Sequence, residues 1–173
     1  GGSYGAMPSA DGRHIVFMSE ATDLVPGDSN VVNDAFVRTD CWVELAEYGT
    51  GKAGSGGITP HLHGSGGSWA ADGYAVVLDQ VLGNTVGLLI VGSAPAAIPA
   101  FGGTVLVGLG APVVFVLLPV SGPPLPGAGA LALPAVDVEP FAGFSVWLQV
   151  LCADPAASFG VSMSQGLLFT AIE

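Results

Sequence analysis

Asp28, Asn30 and Asp34 set side-chain oxygens two and four residues apart in the turn-rich run ATDLVPGDSNVVND. Hard donors at that spacing suit a cation such as Ca²⁺, which takes about 6–8 oxygen ligands. Asp23 or Asp40 would complete the shell. The run is not an EF-hand, having neither Gly at the sixth position nor Glu at the twelfth. Asp28 and Asn30 equally suit ordinary Asx turns. His61 and His63 lie two apart, so in an extended segment both project from one face, and with His14 they offer three imidazoles for zinc. No cysteine or carboxylate cluster adjoins them in the sequence, which favours exposed loop histidines.

Other strings match catalytic patterns without their context. Gly1, Ser3 and Gly5 satisfy G-x-S-x-G, but no strand precedes the serine and no helix follows it. Gly49, Gly51 and Gly54 satisfy G-x-G-x-x-G without the helix whose N-terminus would hold a pyrophosphate, and Lys52 is followed by Ala53 rather than Ser or Thr. Asp72 with Asp79, or Asp137 with Glu139, would serve as paired carboxylates for glycoside hydrolysis, but Trp42, Trp69 and Trp147 are scattered and build no sugar platform. Trp42 and Trp147 are expected in cores, and Trp69, in a Gly-Ser loop, is the tryptophan placed to touch carbohydrate. No nucleophile, base and orienting group come together, so no enzyme is expected.

The elements that must carry these residues are unusual in composition. The chain has 173 residues, of which 27 are Gly and 13 Pro, half are hydrophobic and 10% are charged, against roughly 25% charged in ordinary soluble domains. Fourteen acidic residues oppose three basic ones, a net charge of −11, which repels a phosphate backbone and argues against nucleic acid or anionic lipid as partners. No charged residue falls between Asp79 and Asp137. A helical membrane span is nonetheless unexpected there, because Pro95, Pro99, Pro112, Pro119, Pro123, Pro124, Pro126 and Pro134 each remove a donor that lipid cannot replace.

Gly or Pro interrupts nearly every window long enough for a helix, while Val-rich runs recur between turn clusters. The pattern predicts an all-β chain, an antiparallel, jelly-roll-like β-sandwich of eleven strands: 13–18, 35–38, 41–48, 74–80, 87–91, 104–109, 113–120, 130–133, 144–153, 160–164 and 167–172. Composition divides the chain into an acidic blade-like β segment over 1–48, a Gly/Ser-rich connection over 49–72 and an apolar sandwich over 73–173. Val113 to Leu118 is apolar on both parities, so both of its faces need cover from a loop layer or another subunit. Cys41 and Cys152 are either bridged or two buried thiols. The chain opens at Gly1 with no charged-then-apolar leader, as expected of a polypeptide cut from something longer.

Pro8-Ser9-Ala10-Asp11-Gly12-Arg13-His14-Ile15-Val16-Phe17, followed by Ala21 to Asn30 and by Asp34-Ala35-Phe36-Val37, resembles one repeat of the TolB-type, WD40-like (PD40) bacterial β-propellers. Propellers close with about 4–8 blades, so one repeat implies missing neighbours: either the chain is the tail of a longer propeller protein, or its blade packs on the sandwich or on another copy. Further along, Gly54-Ser55-Gly56-Gly57 with Pro60 and Leu62, then Leu88 to Pro95, Phe101-Gly102-Gly103, Pro126-Gly127 and Phe144 to Gln149 before Asp154-Pro155, resemble a C-terminal domain of secreted planctomycete-type bacterial proteins. That likeness implies a secreted or cell-surface location and carries no catalytic motif.

The expectation is a non-enzymatic extracellular structural protein that associates with copies of itself by strand or segment exchange, into a filament or surface layer. The alternative is a carbohydrate- or cell-wall-binding module at the end of a larger secreted propeller protein.

Overall fold

A computed structural model describes residues 2–10, 14–27, 32–39, 42–66, 74–110, 112–133 and 143–172. The chain is all-β and antiparallel, an architecture of packed sheets, and among the described residues only single turns of 3-10 helix lie between strands. It forms two units, residues 1–41 with 173 and residues 42–172.

The first unit is a three-stranded antiparallel sheet of β1 (Ser3–Pro8), β2 (His14–Ser19) and β3 (Asp34–Thr39), in chain order. Phe17 and Phe36 stack at 5.6 Å across the β2–β3 pair. Among its described residues only Ser19 is buried, and every residue of β1 is exposed. Its described residues thus supply little interior.

The second unit is built around a sheet ordered β10 (Val113–Val120), β7 (Thr85–Gly92), β12 (Ser145–Ala153), β14 (Gly166–Ile172), β4 (Trp42–Tyr48), with β13 (Val161–Met163) also paired to β12. A three-stranded sheet, β11 (Gly129–Leu133), β6 (Tyr74–Val81) and β5 (His61–Gly66), covers one of its faces. A ribbon of β8 (Pro95–Ala100) and β9 (Gly103–Val107) covers the other. Two covering layers explain why β7 is apolar on both parities. Ile90 packs with Val105, Val107, Leu151 and Met163 under the ribbon. On the opposite face Leu89, paired with Val150, is buried too.

Two buried glutamines hold the layers on. Gln149 donates from Nε2 to the Thr104 and Ser164 carbonyls at 3.1 and 2.9 Å and accepts the Leu106 N–H at 2.8 Å. Its amide thus ties the ribbon to the central sheet. On the other side, Gln165 accepts the Leu62 N–H at 3.3 Å and donates to the Leu62 carbonyl at 3.0 Å, as a neighbouring strand would. The described part of the glycine-rich stretch, to Gly66, is equally structured. The buried Asp154 carboxylate accepts the Ser55 N–H at 2.6 Å, the Ala156 N–H at 3.2 Å and the Ser55 hydroxyl, and a Cβ at Gly54 would collide with that carboxylate.

Three differences from the expected layout have physical causes. Trp42–Tyr48, assigned to the acidic segment, pairs with β14 and belongs to the second unit. His61–Gly66, placed in the connection, is a strand paired with β6; Gly64 faces the Leu45 side chain where no Cβ fits. Pro95–Ala100 is a strand despite two prolines, because it pairs only with β9 and needs no donors on its outer side.

Replacing Gln149 by Leu should cost about 3 kcal/mol, since it orphans a buried N–H and buried carbonyls; urea unfolding measures it. Burial alone would raise the Asp154 pKa, but the donors of Ser55, Ala156 and Ala157 outweigh it and leave the carboxyl below its usual range. Its contribution is therefore complete above the ordinary carboxylate pKa and is lost as pH falls through the lower folded-state value. The stability gap between the wild type and Asp154→Asn should accordingly close in acid, in unfolding curves recorded across that pH range.

Candidate functional site

The central sheet ends in two unlike edges. β4 carries Glu44 and Glu47, and charges on an edge oppose further pairing. β10 carries none. It pairs with β7 from Val113 opposite Gly92 to Val120 opposite Thr85, and no described strand pairs with its other side. Its ends are tucked in, but its middle is open on both parities: Val114 is 55% exposed, Phe115 53%, Val116 38% and Leu117 72%. Pro119 is the only residue in it that lacks a backbone donor. Neither covering layer shelters this stretch, so among the described residues the two-faced apolarity read from the sequence is satisfied for β7 but not for the middle of β10.

A second site lies on the outer face of the covering sheet. In β5, Leu62 turns inward and is fully buried, which leaves His61 and His63 side by side outside, their rings stacked at 4.7 Å. Asp79 of β6 is the direct partner of His61. Its Oδ2 lies 3.2 Å from His63 Nε2 and its Oδ1 3.7 Å from His61 Nδ1. The remaining ring nitrogens are also engaged: His61 Nε2 meets Glu47 Oε1 at 3.0 Å and His63 Nδ1 meets the Gly64 carbonyl at 3.0 Å.

A bulge sets this arrangement. Leu131 pairs with Leu78 and Gly129 with Val81, so Asp79 and Gln80 together oppose one residue of β11, and Gln80 takes a left-handed φ of 55°. Leu78 and Val81 consequently both point into the core while Asp79 points out. Asp79 Oδ1 is buried and has no hydrogen-bond partner. The Gly64 carbonyl, and after it the Asp79 and Glu47 carboxylates, raise the His63 pKa above the usual imidazole value against the opposing effect of burial. A cleft of about 430 Å³, lined in part by Glu47, Thr59, His61, Gln80 and Gln165, opens beside the cluster.

Of the residues singled out in the sequence, the structure brings His61, His63 and Asp79 together. Asp28 and Asn30 lie outside the described residues, as do Asp40, Cys41, Trp69, Asp72, Asp137 and Glu139; Asp34 opens β3 opposite Ser19. His14 opens β2 in the first unit, while His61 and His63 stand in the second with Asp79 as their third neighbour. His61 and His63 are on a strand rather than in a loop. Ser3 sits within β1, its hydroxyl 2.9 Å from that of Ser19. Asp79, weighed in the sequence only beside Asp72 as a paired carboxylate, is the acid that joins the two histidines. Among the described residues no helix is long and apolar enough to cross a membrane.

No family model, curated protein or solved structure matches this chain. The likenesses to a propeller repeat and to a secreted C-terminal domain therefore rest on the quoted residues alone.

Cys152 is a free thiol buried in β12, and burial, with Asp154 adding to it, pushes its pKa up to about 12. Iodoacetamide at mildly alkaline pH should leave Cys152 unmodified in the folded protein and label it after unfolding in guanidinium, as read by peptide mass spectrometry.

Proposed function

We propose that this protein is a non-enzymatic structural component that works outside the cell by associating with copies of itself, and that β10 is its principal contact. The observation that carries this reading is the uncharged, open edge at Val114–Leu117, exposed on both faces. Its occupant is the β10 of a second copy, paired antiparallel about a twofold axis, so that the central sheet runs on from one chain into the next.

Charge favours this partner. At a net charge of −11, two copies repel wherever their acids meet, and β10 belongs to the long segment without charge. Pairing β10 to the β4 edge of another copy would instead lay Glu44 and Glu47 against apolar side chains. Fully burying a side chain of this kind yields about 1.5–3 kcal/mol. Eight part-exposed ones, four from each copy, reach the scale of the roughly 4–15 kcal/mol that association costs, before any strand hydrogen bonds are counted.

A polymer needs a second contact, and the N-terminal sheet offers one. Its β1 edge is exposed throughout, with Tyr4 at 52% and Met7 at 71%, and the unit has almost no interior. Segment exchange through this sheet would extend dimers into a filament or layer. The extracellular location is supported by the resemblance of Gly54 to Pro155 to secreted bacterial domains.

Light scattering coupled to size-exclusion chromatography should find the wild type as dimers and larger species. Val114→Lys with Leu117→Lys should shift it to smaller species with an unchanged β-type circular dichroism spectrum. A wild type that stays monomeric up to its solubility limit would contradict the proposal.

A further inference from the structure

The outer-face cluster holds one acceptor that hydrogen bonding within the chain does not satisfy, Asp79 Oδ1. A carbonyl oxygen and a carboxylate can only accept, so the contact of His63 Nδ1 with the Gly64 carbonyl and that of His61 Nε2 with Glu47 place the ring proton on those two nitrogens. In neutral imidazoles the opposite nitrogens, His63 Nε2 and His61 Nδ1, then carry bare lone pairs. Both face the Asp79 carboxylate, at 3.2 and 3.7 Å. Lone pairs against carboxylate oxygens repel, so either a second ring proton, which makes the 3.2 Å contact of His63 Nε2 with Asp79 Oδ2 a hydrogen bond, or a metal ion lies between them; Asp79 Oδ1 is buried without a hydrogen-bond partner in either case.

We propose that His61 Nδ1, His63 Nε2 and Asp79 bind one divalent transition-metal ion of the zinc class, with Glu47 and the Gly64 carbonyl orienting the two imidazoles. The three ligand atoms lie within 4.8 Å of one another, and the 3.2 Å separation of His63 Nε2 from Asp79 Oδ2 is close to the roughly 3.3 Å edge of a tetrahedron with bonds of about 2.0–2.1 Å. Two nitrogens and an oxygen suit zinc and its neighbours rather than calcium or magnesium, which prefer oxygen throughout. Each ligating ring donates its other N–H to an acceptor, the arrangement that fixes tautomer and orientation in metal sites. The side chains of His61, His63 and Asp79 are 37, 27 and 39% exposed, which gives the ion a path in and leaves room for water as a fourth ligand.

The ion would join β5 to β6 directly and β4 to them through Glu47, clamping the covering layer to the edge of the central sheet. It would thus act on stability, and by mass action the melting temperature should rise with zinc concentration.

Calorimetric titration of the full chain with Zn²⁺ should give one site per chain, lost or weakened at least about 10-fold in His61→Ala, His63→Ala and Asp79→Asn. Glu47→Gln should weaken binding by about 10–100-fold although it touches no metal. Ca²⁺ should not compete. Should a ligand variant fold poorly, nitrogen-15 histidine spectra of the wild type decide: zinc should shift His61 Nδ1 and His63 Nε2 and leave the opposite nitrogens protonated. No uptake of Zn²⁺, or uptake that leaves both histidines unshifted, would overturn the proposal and leave the cluster as imidazolium–carboxylate pairs.

Discussion

The structure depends on covering a sheet that is apolar on both sides. A sheet in contact with water needs one polar face; β7 and β12 have none, so each central strand requires a layer above and below. Those layers are small, a two-stranded ribbon and a three-stranded sheet, and neither is rich in long side chains. Gln149 and Gln165 offset this by supplying hydrogen bonds from inside the central layer to the backbone of each cover. A buried amide that finds all its partners fixes position as well as adding energy, whereas one with a partner missing is costly. The cover stops short of the middle of β10, and leaves Val114 to Leu117 exposed on both faces.

Much of this was legible in composition and pattern. Prolines spaced through the apolar stretch argued for strands over helices, and the lack of alternation in Val113–Leu118 marked a strand whose middle stays exposed on both faces. What escaped was set by contacts between distant residues. His61–Gly66 read as linker because Gly64, Ser65 and Gly66 are turn-forming types, yet Gly64 is there to admit Leu45. Ser3–Pro8 escaped for a similar reason, its register broken between Tyr4 and Met7 with Gly5 in the left-handed region. The sequence spacing of His61 and His63 correctly put them on one face. Their carboxylate neighbour lies across a strand pairing and a bulge at Gln80, and no spacing rule reaches it; His14, the nearest alternative by residue type, belongs to another unit.

Charge distribution links the two proposed roles. Acids are kept off the β10 edge, where a copy of the chain would meet them, and two of them, Glu47 and Asp79, are gathered around the histidines where a cation would neutralise them. A protein with three basic residues has few internal counterions. Metal binding and self-association are two ways of accommodating that excess, one by bringing in positive charge and the other by meeting where there is none.

The central claim, that another copy of the chain covers β10, is tested most directly by hydrogen–deuterium exchange of the Val113–Val120 amides as protein concentration is raised. Protection of this strand should grow with concentration while that of β12, already enclosed, stays constant. Exchange in β10 that is equally fast at every concentration would contradict the claim.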